Sequence, residues 1–485
     1  MRKKSAMLLL TGAALLSMLV AFAACGGGTA GTVDSVSAVA PHEHVFEIKS
    51  ETDPTCTEYG RKEFFCSIGG CEETKTEYID PLKHRVRSGK CTREGCDLEV
   101  PTDFLVEVPD DRDAIVLQLT DPQVIDSDQR RYADRIGQSH IDFYKPERRF
   151  EICYDHMEEV ISEVNPDFII VTGDIVYGEF DDSGIRFKEF INFMEGFGIP
   201  WAPVFGNHEN EATIGVDWQS KQLEEAENCL FLQRTLTGNG NYTVGIMRNG
   251  EIERAFFMLD SNGCGGASAQ SMANGHTRRE RGFGTDQIEW YTAKAAEIRA
   301  EYPEVRYSFA FHIQPYAFVT ALGKYGYNGT KTPVNIFAAA NREPTDFGYC
   351  AWGVEQWDRD GSVFRGLKAL GCDSIFVGHE HRINASVMYD GVRLQYGQKS
   401  SEYDSYIRVD TATGKIVADY PNNDGYLPVI GGTVISLSAE TAKLGQPYIY
   451  LCKDAGGDYF VKYNDPAIVT KGYNKKDKTD TGGEI

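Results

Sequence analysis

Two patterns of hydrophobic and polar positions alternate through the middle of the chain. Short apolar runs, typical of buried strands, are separated by segments whose apolar residues recur at helical spacing. The apolar runs predict strands at 113–119, 167–172, 201–205, 255–259, 306–311 and 373–377. The helical spacing predicts helices within 147–164, 185–197, 286–300 and 362–370. This order of strand, loop and helix indicates an α/β domain.

Five of these strands end at a residue type that can bind a metal ion. These residues are Asp121, Asp174, Asn207, His312 and His379, and His381 follows two positions after the last. In open α/β sheets, functional sites lie beyond the carboxyl ends of the strands. Any one of these residues has an ordinary role as a turn former or cap, but the five strand ends together indicate one metal site.

The sequence blocks around these positions resemble the calcineurin-like metallophosphoesterase signature. The blocks are Asp121-Pro122-Gln123, Gly173-Asp174, Gly206-Asn207-His208-Glu209, His312 and Gly378-His379-Glu380-His381. The stretch 389–397 is similar to the purple-acid-phosphatase-like branch, and the resemblance covers about residues 112–425. It implies a metallophosphoesterase-type β-sandwich of two mixed sheets flanked by helices, which we place at 103–430.

The resemblance also implies two metal ions (Mn, Fe, Zn or Mg) that share Asp174 as a bridging ligand. The first ion would be bound by Asp121, Gln123, Asp174 and His381, and the second by Asp174, Asn207, His312 and His379. Two ions about 3.5–4 Å apart can activate a bridging water to hydroxide and neutralise the charge of a phosphoryl group. In this scheme His208 is the general acid and Glu209 orients its imidazole.

Two positions bear on how closely the chain follows the signature. Gln123 stands where the first block usually has a metal-binding histidine, and amide oxygen binds transition metals more weakly than imidazole. Tyr177 completes a Gly-Asp-x-x-Tyr block, in which the tyrosinate of purple acid phosphatases binds ferric iron; the alternative is aromatic packing.

The predicted function is a dimetal phosphoester hydrolase, with a phosphomonoesterase favoured over a phosphodiesterase. A catalytically decayed surface binding protein, supported by Gln123, is the alternative of another class.

Composition and the N-terminus place the predicted hydrolase outside the cytoplasm. The chain has 485 residues and a net charge of −23, which argues against nucleic-acid binding because that would require a basic face. A basic start at residues 2–4 and an apolar stretch to residue 24 predict a signal peptide at 1–24. Cys25 resembles the lipidated cysteine of bacterial lipoproteins, followed by a tether at 25–41; secretion or a retained anchor are the alternatives. We expect attachment to the membrane of a Gram-positive bacterium.

Residues 42–100 form a predicted cysteine-rich, zinc-ribbon-like module. The pairs Cys66/Cys71 and Cys91/Cys96 have equal spacing, which predicts one structural zinc bound by four thiolates, with Cys56, His44 and His84 as substitute ligands. Disulfides are the alternative, as expected in an oxidising compartment. The segment is similar to short His- and Cys-bearing repeats of Gram-positive surface proteins. Residues 431–485 are predicted to be an extension and a loose tail.

Overall fold

The computed structural model describes residues 41–126, 128–129, 153–263, 281–330, 333–351, 357–402, 407–410, 412–413, 416–417 and 426–452. The predicted signal peptide, Cys25 and nearly all of the predicted tether lie outside these residues. The described chain divides into two compact units, one of residues 41–54 and 58–80, the other of residues 55–57 and those from 81 onward. Among the described helices, none combines the length and the apolar character that a membrane crossing requires.

The smaller unit is a three-stranded antiparallel sheet. Its strands are β1 (Phe46–Thr52), β2 (Gly60–Cys66) and β3 (Thr74–Ile79), in the order β1-β2-β3. Almost every side chain of β1 and β3 is exposed, and the buried positions of β2 are Gly60 and Cys66. The sheet therefore buries too little apolar surface to form a core of its own.

The larger unit contains the remaining strands and all the described helices. Its strands are β4 (Val86–Arg87), β5 (Lys90–Cys91), β6 (Phe104–Glu107), β7 (Ala114–Leu119), β8 (Phe168–Val171), β9 (Trp201–Pro203), β10 (Tyr242–Arg248), β11 (Glu251–Met258), β12 (Arg306–Ala310), β13 (Val334–Asn335), β14 (Tyr349–Cys350), β15 (Cys372–Val377), β16 (Ser386–Tyr389), β17 (Val392–Tyr396), β18 (Arg408–Asp410), β19 (Ile416–Val417), β20 (Tyr426–Pro428), β21 (Gly431–Leu437) and β22 (Tyr448–Leu451). Its α-helices are α1 (Asp155–Val164), α2 (Ile185–Glu195), α3 (Val216–Glu225), α4 (Thr285–Glu301), α5 (Ala317–Gly323) and α6 (Ser362–Ala369), and single 3₁₀ turns lie at Gly178–Phe180, Glu209–Glu211 and Ile336–Ala338.

Two mixed sheets form the body of this unit, as the resemblance implied. One has five strands in the order β22-β21-β7-β8-β9, of which β7, β8 and β9 are parallel. The other has seven strands in the order β16-β17-β15-β12-β11-β10-β6, with a parallel centre from β11 to β17. The predicted sandwich of two mixed sheets with flanking helices is therefore confirmed.

The main core lies between the two sheets, and a second core lies under the helices of the seven-stranded sheet. The ring of Phe168 in β8 packs 5.6 Å from that of Phe256 in β11, which joins the two sheets. The next residue of β11, Phe257, points to the opposite face, where Tyr291 of α4 is buried in the second core. This alternation buries both faces of β11 and leaves the strand ends as the accessible part of the sheet.

At the ends that the structure describes, the predicted strands and helices agree with it to within a few residues. The predicted end of the catalytic domain at residue 430 does not agree. Strand β21 pairs antiparallel with β7, and β22 pairs with β21, so residues 431–452 are part of the five-stranded sheet. The assignment of this segment to an extension was wrong. Its apolar residues, including Val434 and Ile435, are buried in the core of the sandwich. The rest of the predicted tail, from residue 453, lies outside the described residues.

Candidate metal centre

The side chains predicted to bind metal converge at the carboxyl ends of strands from both sheets. Asp174, His312 and His379 bring their ligand atoms within 4.8 Å of one another, and so do Asp121, Asp174 and His381. Asp174 belongs to both groups, which is the position that a bridging carboxylate must occupy. Its Oδ2 lies 3.1 Å from Nε2 of His312.

The polar atoms of this cluster have the character of metal ligands. Nδ1 of His312 lies 2.6 Å from the carbonyl oxygen of Thr172 and donates to it, which leaves the lone pair of Nε2 facing Asp174. Among the described residues, this Nε2 and Oδ1 of Asn207 are buried atoms without a hydrogen-bond partner. Buried polar atoms are rarely left unsatisfied, and a bound cation would satisfy an atom of this kind. The residues present therefore fit a pair of divalent ions.

Strained backbone holds four of the predicted ligands. Asp121, Gln123, Asp174 and His379 have φ of 51°, 47°, 51° and 73°, in the left-handed region that residues other than glycine rarely adopt. Such conformations cost about 1–3 kcal/mol each and persist where the surrounding structure enforces them, most often at functional sites. Here they turn the side chains inward directly after the strands end.

Two glycines of the sequence blocks are required by close approach. A Cβ on Gly206 would lie 2.2 Å from Oδ1 of Asp174, and one on Gly378 would lie 2.2 Å from Oγ1 of Thr120. Contacts this short do not occur in proteins, so a side chain at either position would displace the carboxylate or its support. The glycines thus belong to the geometry of the ligands and not only to the turns.

The two aspartates of the centre are held in their ionised form. Burial raises the pKa of Asp174, but the imidazoles of His312 and His208 lower it more, and the pKa is below its usual value. Burial likewise opposes ionisation of Asp121, whose pKa is lowered by His381, with Nε2 3.3 Å from Oδ1. The backbone N–H of His379 also donates to Asp121, at 3.1 Å from Oδ2.

The imidazole of His208 has a different carboxylate partner from the one predicted. Its Nδ1 lies 2.5 Å from Oε2 of Glu211, and its Nε2 lies 3.9 Å from Oδ2 of Asp174. Burial lowers the pKa of His208, but the charges of Glu211 and Asp174 raise it well above 6.5. The ring is therefore a proton donor at neutral pH.

Glu209, predicted to orient this ring, has another role. Its two carboxylate oxygens accept hydrogen bonds from the backbone N–H groups of Ile175 and Gly206, at 2.5 and 2.7 Å. It therefore holds together the two loops that carry Asp174 and Asn207. The prediction was wrong because the 3₁₀ turn at Glu209–Glu211 brings the residue three positions after His208, and not its neighbour, against the ring.

Tyr177 lies beside the general-acid candidate. Its ring stacks on that of His208, with centroids 4.1 Å apart and an angle of 29° between the planes, and lies 5.3 Å from the ring of Phe180. This is the aromatic packing that the sequence left open as an alternative. Iron ligation by Tyr177 stays a prediction.

Gln123 does not present its amide oxygen to the cation position. Nζ of Lys399 donates to this Oε1 at 3.1 Å and to the carbonyl oxygen of Asp121 at 2.7 Å. The Gln123 Nε2 faces Oδ2 of Asp174, 3.4 Å away. The predicted ligand role of Gln123 is therefore not supported. The sequence held no signal for Lys399, since it follows β17 in a loop outside every block.

The four cysteines predicted to bind one zinc ion fall into two groups instead. Cys66 and Cys71 lie with His42 and His44, whereas Cys91 and Cys96 lie with Cys56 and His84. The equal spacing of the two pairs, taken as evidence of one shared site, thus reflects two similar sites. The substitute ligands named from the sequence are members of these groups, and His42 was missed.

Comparisons with known proteins agree with this geometry. The model of the calcineurin-like phosphoesterase family matches residues 116–383. An uncharacterised protein of Schizosaccharomyces pombe is 23% identical over 226 residues, which are 46% of this chain and 38% of that protein. Probable inactive purple acid phosphatase 28 of Arabidopsis thaliana is 31% identical over 116 residues, 20% of this chain and 29% of that protein. The chain thus spans well under half the length of these two curated relatives.

Among solved structures, a purple acid phosphatase from yellow lupin seeds aligns with a TM-score of 0.35 and 12% identity, over 81% of this chain and 59% of that one. The family match is the stronger finding. It spans more than half of the chain and includes the ends of the four strands, β7, β8, β12 and β15, that carry the clustered ligands. The chain belongs to the calcineurin-like phosphoesterase family.

Proposed function

We propose that this chain is a phosphoester hydrolase that depends on two divalent metal ions. The observation that carries the proposal is the position of Asp174, whose carboxylate is shared by two groups of ligands from both sheets. When bound, two such ions supply an activated water and neutralise negative charge on the phosphoryl oxygens. The remaining steps are assigned to the side chains of the chain itself.

His208 is the proposed general acid. Glu211 holds its Nδ1 at 2.5 Å, so that Nε2 carries the proton that is directed toward the centre. This proton passes to the leaving oxygen of the ester, which would otherwise depart as an unstable alkoxide. Stacking on Tyr177 fixes the plane of the ring and excludes water from that face.

A phosphomonoester is the proposed class of substrate. Two divalent ions balanced by the carboxylates of Asp121 and Asp174 and by the hydroxide nucleophile would leave a net charge of about +1, to which the buried ammonium of Lys399 adds one. A phosphomonoester carries about two negative charges at neutral pH, and a phosphodiester carries one. The surplus of positive charge thus favours the monoester, and diester hydrolysis is the rival activity.

We further propose that the enzyme acts outside the cytoplasm and is attached to the membrane by a lipid on Cys25. The support is the basic and apolar N-terminal sequence that ends at this cysteine. Labelling of cells with a radioactive fatty acid tests the anchor. Label in the wild-type protein and its absence from a Cys25→Ala variant are the expected results, and equal label in both would contradict the anchor.

The activity is tested with the full chain after metal removal and reconstitution with Mn²⁺, Fe²⁺, Zn²⁺ or Mg²⁺. Hydrolysis of 4-nitrophenyl phosphate that exceeds hydrolysis of bis(4-nitrophenyl) phosphate is expected, and a His312→Ala control is expected to lose this hydrolysis.

The contact between Lys399 and Gln123 favours one alternative, a surface binding protein without hydrolysis. Binding of metal and phosphate without turnover of either ester would establish that alternative.

A further inference from the structure

Residues 42–96 contain two four-residue groups with the chemistry of structural zinc sites. The first Cys/His group is His42, His44, Cys66 and Cys71, and the second Cys/His group is Cys56, His84, Cys91 and Cys96. In each group the four ligand atoms lie within 4.8 Å of one another. Thiolate and imidazole in sets of four are the ligands of structural zinc, which is tetrahedral and has no open position.

The distances in the first group match the edges of a zinc tetrahedron. Zn–S and Zn–N bonds of about 2.3 and 2.0–2.1 Å place sulfur and nitrogen about 3.6 Å apart. Sγ of Cys66 lies 3.7 Å from Nε2 of His42, and Sγ of Cys71 lies 3.4 Å from Nδ1 of His44. The observed pairs fall on either side of the ideal edge.

The second group has the same dimensions. Sγ of Cys96 lies 3.3 Å from Nδ1 of His84, and the sulfur atoms of Cys56 and Cys91 are 3.9 Å apart. Two thiolates on one zinc lie about 3.8 Å apart, whereas a disulfide joins its sulfur atoms at about 2.05 Å. All five cysteines of the two groups have free thiols in the structure.

The backbone folds identically around both cysteine pairs. The N–H of Cys71 donates to the carbonyl of Ile68, three residues earlier, and the N–H of Cys96 donates to that of Arg93. Gly70 and Gly95, each just before the second cysteine, have φ of 83° and 76°. A left-handed glycine in this turn points both thiols of a pair to the same side, so each pair is prepared for one ion.

The smaller unit lacks the apolar core that would otherwise stabilise it. Tyr59 and Tyr78 are 62% and 69% exposed, and Val45 and Ile48 are 55% and 53% exposed. Cys66 is the one described cysteine of this unit that is buried, at 4% exposure, and it is a member of the first Cys/His group. A sheet this small needs a staple, and a bound metal ion is a common one.

We propose that the N-terminal segment binds two structural zinc ions, one in each Cys/His group, as separate Cys₂His₂ and Cys₃His sites. This replaces the single four-cysteine site expected from spacing alone. The proposal is independent of hydrolysis, because neither group shares a ligand with the centre around Asp174. The first ion holds the segment before β1 to the β2–β3 turn within the smaller unit, and the second joins Cys56 to residues 84–96 within the larger unit.

The test is metal analysis of the full chain, purified without chelator or reductant, in an Asp174→Asn background that removes metal from the main centre. Two zinc ions per chain are expected. Cys71→Ser and Cys96→Ser are each expected to lose one ion, and the double variant both. Cys372→Ala is the matched control, since this buried thiol belongs to neither group, and it is expected to keep both ions.

Three results would overturn the proposal. One is a zinc-free protein in which at least four of these five thiols fail to react with a thiol reagent after denaturation, which indicates disulfides. Another is a single ion that is lost in both Cys71→Ser and Cys96→Ser, which indicates one shared site. If the variants fail to fold, replacement of zinc by Co²⁺ in the Asp174→Asn protein, which keeps both Cys/His groups intact, decides. Two equivalents with thiolate charge-transfer absorption support the proposal, and one or none contradicts it.

Discussion

The ammonium of Lys399 lies 3.1 Å from Oε1 of Gln123 and so turns the amide nitrogen of that residue toward the shared carboxylate of Asp174. Rotation of the amide would bring its NH₂ group against the ammonium, so the lysine fixes its orientation. Lys399 is only 2% exposed, which makes its charge effective over short distances. We therefore expect the first metal position to bind its ion more weakly than one with a histidine at residue 123.

Replacement of this lysine tests the relationship. We expect Lys399→Met to tighten metal binding at the first position about tenfold or more, because a buried positive charge next to a cation is removed. Competition with a fluorescent chelator measures the affinity for Mn²⁺. Lys443→Met, a change at an exposed lysine, is the control and is expected to leave the affinity unchanged. Equal affinities in all three proteins would show that Lys399 does not affect the centre.

The roles of two neighbouring glutamates are separable. We expect His208→Ala to lower kcat about 10²-fold or more with metal content intact, and Glu211→Gln to lower kcat about tenfold, because Glu211 holds the imidazole. Glu209→Gln is expected to lower the free energy of unfolding by about 1–3 kcal/mol instead, since the amide offers one acceptor oxygen where two buried N–H groups each need one. Kinetics and urea denaturation of the three variants measure these effects. A larger loss of kcat in Glu209→Gln than in Glu211→Gln would reverse the assignment.

The close approach of Gly206 to Asp174 predicts a loss of metal. In Gly206→Ala the new methyl group must move the carboxylate, so we expect less than half of the metal content of the parent protein, measured by atomic emission. Gly366→Ala in α6 is the matched control, because a Cβ there meets no atom within 4 Å. That control is expected to keep its metal and to gain up to about 1 kcal/mol of stability from its better helix propensity. Full metal content in Gly206→Ala would contradict the geometry.

Tyr177 is expected to act through packing. A Tyr177→Phe variant keeps the ring that stacks on His208, so we expect it to retain most of the turnover and all of the metal. The absorption spectrum of iron-loaded protein provides the check. A visible charge-transfer band in the parent protein that disappears in Tyr177→Phe would instead establish tyrosinate as an iron ligand.

Asp181 predicts a pH dependence of stability away from the metal centre. Burial raises its pKa to about 7, although the backbone N–H groups of Arg186 and Phe187 donate to it. The folded state thus retains a proton that the unfolded state has released, and stability falls as the pH rises from about 4 through 7. Between pH 5 and 7.5 the loss from this group is about 2 kcal/mol.

Urea denaturation of the parent protein and of Asp181→Asn at both pH values isolates this contribution. The asparagine cannot ionise, so the difference in stability between the two proteins is expected to shift by about 2 kcal/mol in favour of the variant at the higher pH. A difference that does not change with pH would show that Asp181 is already ionised at pH 5.

The fold and most of the centre were predictable because their signals are local. Apolar runs that end in Asp, Asn or His mark both the strand and the ligand, and no distant contact is needed to recognise them. The role of Glu209 could not be predicted in this way, because the 3₁₀ turn decides which carboxylate reaches His208. The role of Lys399 could not be predicted from the sequence either, because this residue contacts Gln123 across 276 positions of the chain.

The prediction that four cysteines share one ion was wrong for a related reason. Equal spacing shows that Cys66/Cys71 and Cys91/Cys96 form similar turns, but it cannot show which turns share an ion. Which cysteines share an ion depends on where the fold places Cys56 and His84 relative to each pair. Seven of the eight residues in the two groups were thus recognisable from the sequence, His42 being the exception, and their division into groups required the tertiary structure.

The pairing of β21 with β7 has a consequence for how the protein is made. The strand that leads into Asp121 has one flank closed by a segment synthesised some 300 residues later. Until that segment leaves the ribosome, β7 is an open edge that can pair with other chains. The nascent protein therefore cannot complete this side of its metal centre until residues 431–437 have emerged and paired with β7.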